Sequence, residues 1–118
     1  MPPEARDPAY VADMLAFARE TVDVIEGLQR SDLDRDLRAL RALERTLNMV
    51  GEAARRVSNG TRARYPEVRW SDIVGMRNIL AHEYGRIDVD QLWRMARHDA
   101  SRLISDLEAI LADLGSDG

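Results

Sequence analysis

The chain contains no cysteine and no lysine, and only two histidines among its 118 residues. Without cysteine, neither a disulfide framework nor a thiolate metal site is available. Proton transfer by imidazole rests on His82 or His98, because no other histidine exists. Long apolar runs are also missing, and nothing approaches the ~20 uncharged apolar residues that a membrane span needs. The N-terminal residues lack the charged-then-apolar pattern of a secretory signal, so a cytoplasmic location is expected. No segment alternates strictly between apolar and polar residues, and no glycine-rich phosphate loop follows a strand. Ser71, Ser101 and Ser105 stand without a recognisable base and acid, which leaves a hydrolase triad unsupported. One histidine beside scattered carboxylates has no metal-ligand spacing, so neither a metal nor another cofactor is expected.

What is present suits one domain spanning residues 1–118, with a core over about residues 8–114, since a second core would need a longer chain. The net charge of -4 argues against a protein coated in positive potential. The distribution is uneven, however: residues 55–98 hold nine Arg against five acids, whereas residues 1–30, 31–54 and 99–118 are each net negative. All 17 basic residues are Arg, which fits either a biased composition or planar, bidentate phosphate donors.

Helical periodicity covers most of the chain. Asp7-Pro8 has the form of an N-cap followed by a first-position proline, and Val11, Leu15, Ala18, Val22 and Ile25 continue an apolar stripe to about Leu28. Asp32, Asp34 and Asp36 place negative charge near the start of a second helix, where the dipole favours it. Leu40, Leu43, Leu47, Val50, Ala54 and Val57 carry that helix to Asn59-Gly60, which is expected to be a left-handed stop. Residues 60–70 then form a connection, with room for one short turn. Ser71 caps a third helix from about Asp72 to Ala81, and Asp88 with Gln91 resembles a capping box opening a fourth. In that fourth helix Leu92, Met95 or Ala96, Leu103, Leu107, Ile110 and Leu114 supply the apolar face. The expected fold class is all-α, an up-and-down four-helix bundle with a possible short extra helix.

Two constellations bear on chemistry. Glu44, Asn48, Gly51 and Arg55 form a lane beside the apolar stripe of the second helix, with Gly51 open to a neighbouring backbone. The lane fits the wall of a site, and it equally fits a solvated flank. The second constellation is Met76 to Tyr84: Arg77 is a permanent cation, Asn78 an amide, His82 an imidazole and Tyr84 a phenol. Such groups suit phosphoryl transfer within RNA, where a 2′-hydroxyl attacks its neighbouring phosphorus. A base removes its proton, an acid protonates the leaving oxygen, and a cation offsets the phosphorane charge. On a straight helix Arg77 and His82 sit about 140° apart and about 7.5 Å along the axis. They converge only if the helix opens near His82 or if two protomers share the site about a twofold axis. Capping and surface roles remain the alternative for this Arg and His, and His98 is expected on an exposed or half-exposed helix face.

Arg77, four residues, His82, one residue and Tyr84 together resemble the motif of the HepT family of HEPN-domain ribonucleases. The surroundings are similar too: Leu43-Glu44-Arg45, Val50 to Ala54, Tyr65-Pro66 with Trp70, Gly75-Met76 and Leu92-Trp93, so the likeness spans roughly residues 8–112. The resemblance implies a HEPN-like bundle that forms a homodimer. It also implies a metal-independent endoribonuclease toxin of a type VII-like toxin–antitoxin pair, leaving a cyclic phosphate on its RNA substrate. The implied partner is a nucleotidyltransferase antitoxin that transfers AMP to Tyr84. By the same resemblance Arg77 becomes a phosphate clamp, Asn78 an orienting group and His82 the proton-transfer residue. The alternative is a noncatalytic nucleotide-binding or scaffold subunit of a nucleotidyltransferase complex.

Overall fold

A computed structural model describes the backbone of residues 3–80 and 88–116, and the side chains of residues 4–76 and 88–115. Among these residues the chain is helical and has no strand. A single 3-10 turn, Pro3–Arg6, leads into α1 (Asp7–Ile25). Gly27, at φ 77°, then breaks the helix sooner than the expected end near Leu28, in a left-handed conformation that a side chain would strain. A short α2 (Asp32–Arg35) precedes α3 (Leu37–Arg56), whose N-cap is Asp36, accepting from the backbone N–H of Ala39 at 3.1 Å.

Two sequence expectations change at the α3–α4 junction. Asn59-Gly60 is no left-handed stop, since α3 ends at Arg56 with an extended Val57 and a new helix, α4 (Asn59–Arg64), starts at once. Ser58 caps it through Thr61. Arg62 turns back over the end of α3 and donates to the carbonyls of Val57, Ala54 and Arg55 at 3.0, 3.0 and 2.8 Å, so a side chain does what a left-handed glycine was expected to do. Asp7, expected as an N-cap, is instead the first residue of α1 and is 1% exposed. Its carboxylate accepts from the Ser58 N–H at 3.0 Å and from the Ser58 and Thr61 hydroxyls at 2.6 Å each. An aspartate before proline carries the same sequence signal in either role.

The remaining elements are α5 (Trp70–Leu80), α6 (Val89–Arg94), a π-helical turn (Met95–Asp99) and α7 (Ala100–Ser116). Ser71 therefore lies inside α5 and does not cap it. Asp88 caps α6 as expected, accepting from the Gln91 N–H at 3.1 Å. The wide turn at Met95–Asp99 interrupts what sequence periodicity reads as one fourth helix, and it turns Ala96 fully inward while Met95 stays partly covered.

Pairings between the helices fix their directions. Asp7 meets Ser58, and Thr21 donates to Thr46 at 2.9 Å, so α1 and α3 are antiparallel. Trp70 donates its indole N–H to the Tyr65 carbonyl, and the Tyr65 hydroxyl bonds Asp113, so α5 starts at the end of the bundle where α3 and α7 finish. It then runs back along α3. Arg30 reaches Asp90 at 2.5 Å, placing the start of α6 at the opposite end, beside α2. The order is up, down, up, down. Val11, Met14, Leu43, Val50, Leu92, Leu107 and Ile110 fill the core and are at most 1% exposed. Each such burial is worth roughly 1.5–3 kcal/mol relative to an exposed side chain.

Candidate active site

α5 is held against α3 by a backbone approach. A Cβ added at Gly51 would lie 2.9 Å from the Ile73 carbonyl oxygen, closer than real side chains come. Glycine at this point of the polar lane therefore lets the two helices close, as its sequence position suggested. With Ile73 level with Gly51 and α5 running back along α3, the ~1.5 Å rise per residue brings the backbone of Arg77 and Asn78 to about the level of Leu47 and Thr46. Both residues lie in the last turn of α5. His82 and Tyr84, the other two members of the motif, fall outside the described residues.

The proposed wall on α3 is placed as follows. Glu44 is largely covered and pairs with Arg41 at 2.6 Å, Asn48 is half-buried, and Arg55 is exposed and pairs with Glu52 at 3.2 Å. Both charged members of the lane thus have partners on their own helix. Asn48 is the lane's uncharged hydrogen-bonding group, one turn before the Gly51 contact. His98 stands exposed on the π-helical turn, in agreement with its expected position.

A cleft of about 760 Å³ opens on the other side of α5, between it and the π-turn and α7. Its apolar floor includes Leu47, Val50 and Met76, while Glu67, Asp72, Asp99 and Asp106 outnumber Arg69 and Arg102 on its walls. Among the described lining residues the rim is thus acid-rich, which disfavours phosphate there. Among the described residues no group of three or more His, Cys, Asp or Glu is arranged to hold a metal ion.

The cations tell a different story from the sequence windows. Several Arg of the arginine-rich stretch 55–98 are committed to structure: Arg55 pairs with Glu52, Arg62 caps α3, Arg64 pairs with Asp113 and lies over the Tyr65 ring, and Arg69 is near Asp72. The window 31–54 is net negative in sequence, yet it presents Arg38, Arg41 and Arg45 on one exposed stripe of α3. Their spacing of three and four residues is the signal that could have found them. Summing charge over windows hid it, because two of the acids nearby are engaged off the stripe, Asp34 by Arg30 and Asp36 by the Ala39 N–H, and only Glu44 pairs with a stripe member, Arg41.

Comparison with known proteins agrees with the motif. The family model described as ribonuclease HepT-like matches residues 14–110, most of the chain. A protein of Methanocaldococcus jannaschii named "Putative RNase MJ1380" is 29% identical over 102 residues, covering 86% of this chain and 94% of that protein. One of Thermococcus cleftensis named "Probable ribonuclease HepT" is likewise 29% identical over 102 residues, covering 83% and 93%. "Putative RNase TTE0752" of Caldanaerobacter subterraneus subsp. tengcongensis is 26% identical, covering 86% and 91%. No solved structure gives a significant match. With an all-α bundle, a third long helix that carries Arg77 and Asn78 in its last turn and a family match over most of its length, the chain belongs to the HepT-like ribonuclease family.

Proposed function

We propose that this HepT-like ribonuclease is a metal-independent endoribonuclease toxin of a type VII-like toxin–antitoxin pair. The observation that carries the proposal is the complete motif Arg77, His82 and Tyr84 in a chain of this family, with Arg77 and Asn78 in the last turn of a helix clamped to α3. In this reading Arg77 neutralises the phosphate, Asn78 orients it and His82 transfers protons. The 2′-hydroxyl is an internal nucleophile, so the attack gains the advantage of proximity and the product ends in a 2′,3′-cyclic phosphate. Two protomers supply two copies of His82, one as base and one as acid, in a homodimer whose composite cleft follows the α5 helices. Glu44, Asn48 and Arg55 stand on the α3 wall of that cleft.

Control resides at Tyr84, to which a partner nucleotidyltransferase attaches AMP. Each added nucleotide brings an anion and a base on a short tether, at an effective concentration of order millimolar, and so competes with dilute RNA for Arg77. The test is expression of the chain alone and with its nucleotidyltransferase neighbour, followed by mass measurement. Growth arrest by the chain alone, relief by the partner and AMP on Tyr84 support the proposal. A Tyr84→Phe chain should keep much of its activity and escape neutralisation. Relief with no AMP on either protein would replace modification by simple complex formation.

The net charge of -4 favours a second reading, a noncatalytic nucleotide-binding or scaffold subunit. In that case the chain expressed alone leaves growth unaffected.

A further inference from the structure

The structure places unsatisfied positive charge where the proposed chemistry needs a path for its substrate. Arg38, Arg41 and Arg45 recur along α3 at three and four residues, all exposed, over about 10.5 Å of helix. Among the described residues Arg38 and Arg45 have no carboxylate partner, while Arg41 shares its charge with Glu44. The stripe turns into Asn48, the half-buried amide of the lane; its Arg45 end lies at the level that the last turn of α5 reaches, and Arg41 and Arg38 continue beyond it. Other arginines are divided: Arg19, Arg55, Arg64 and Arg69 each pair with a carboxylate, whereas Arg6, Arg35, Arg56, Arg94, Arg97 and Arg102 are exposed with no carboxylate partner among the described residues. The α3 stripe is therefore set apart by repeating along one helix face that meets Asn48 and not by being unpaired.

We infer that this face of α3 is a phosphate track for single-stranded RNA, leading the strand to Arg77 at the end of α5. The inference rests on the ribonuclease reading and extends it to three residues that the motif does not contain. A single strand is specified because an A-form duplex holds each 2′-oxygen out of line with its own phosphodiester bond, whereas a flexible strand swings into line. Every described Phe, Tyr and Trp is at least partly buried, so the described residues offer no exposed aromatic platform for bases. Contacts are then to the backbone, tolerant of sequence and steeply dependent on salt. Arginine forks engage phosphate oxygens two at a time, which three such groups on one helix face repeat along the strand.

The test is equilibrium binding of the full chain to a 2′-O-methyl oligoribonucleotide, which cannot be cut, from about 50 to 200 mM salt. Arg38→Ala/Arg45→Ala should weaken binding about tenfold at the lower salt and reduce the slope of log affinity against log salt by roughly 1.4, about 0.7 for each single-strand phosphate that is no longer neutralised. Arg38→Lys/Arg45→Lys should restore most of the slope, since charge is retained. The helical spectrum should be unchanged in both, because these side chains are exposed. An unaltered affinity and slope in the alanine variant, with the parent chain binding normally, overturns the track and leaves the ribonuclease reading standing. A parent chain that neither binds nor cuts RNA overturns both. Loss of nucleotidyltransferase binding with RNA affinity intact would reassign the face to a protein partner and likewise overturn the track.

Discussion

The two ends of the bundle are built differently. At the end where α1 begins and α3 and α7 finish, polar groups are buried and satisfied: Asp7 takes three hydrogen bonds from Ser58 and Thr61, Arg62 closes the end of α3, and Tyr65 links Trp70 to Asp113. At the other end, where α2 sits and α6 begins, the links among described residues are exposed. Arg30 joins Asp34 and Asp90, and the Gln29 N–H donates to Asp32 at 2.7 Å. Asp34 first, and then Asp90, raise the Arg30 pKa above its ordinary value, which leaves it charged at any working pH. Buried networks hold a fold together because breaking them strands polar groups away from water, whereas exposed ion pairs contribute little. The molecule concentrates its buried anchoring at one end; toward the other, α3 carries Arg38 and Arg45 without carboxylate partners among the described residues, as are Arg6 and Arg56 at the anchored end. A site that must bind an anion needs such cations, since an ion pair within the protein would compete with phosphate.

The largest expected effect is at the anchored end. Asp7→Ala removes the acceptor of three donors and should destabilise the chain by about 3 kcal/mol, read by urea unfolding. Loss of well under 1 kcal/mol would break the contrast between the ends. Next is Gly51→Val, which drives a side chain into the Ile73 carbonyl and should cost about 1–3 kcal/mol while shifting α5 from α3. Catalysis should fall by more than the unfolded fraction explains, because α5 carries Arg77. At the exposed end Arg30→Ala should cost less than about 1 kcal/mol, as expected of surface ion pairs. Smallest of all, Arg38→Ala/Arg45→Ala should leave the unfolding midpoint within experimental error while weakening RNA binding. A large loss of stability there would show those arginines to be structural after all.

Much of this fold is legible in the order of the residues alone. Stripes such as Leu43, Leu47, Val50 and Ala54 repeat at the helical period, and all four are buried. Gly51 is readable as a close approach because a glycine inside an otherwise good helix has few other uses. The misreadings share a cause: a local signal stands for two long-range outcomes. Asp7-Pro8 marks a helix start whether the carboxylate caps its own helix or is buried against a serine 51 residues away. Asn59-Gly60 suits a helix stop, yet with Arg62 covering the α3 carbonyls no left-handed residue is needed there. The core face of α1 is rotated from the expected stripe: Met14, three residues after Val11 and four before Ala18, is buried while Val22 is only partly covered, and the Thr21 hydroxyl is tolerated in the core because Phe17 and Thr46 satisfy it. Of the motif, Arg77 and Asn78 stand on the third long helix as expected, while His82 and Tyr84 lie outside the described residues.

The central claim is that this fold presents Arg77 and His82 for metal-independent RNA cleavage. The most direct measurement incubates purified parent chain and His82→Ala with RNA in excess chelator and determines rates and end groups. The parent should cut, leaving 2′,3′-cyclic phosphate ends, and His82→Ala should be slower by about 10²- to 10⁴-fold with its helical spectrum intact. An undiminished rate in His82→Ala, or cutting that stops with chelator and leaves 5′-phosphate ends, would contradict the account.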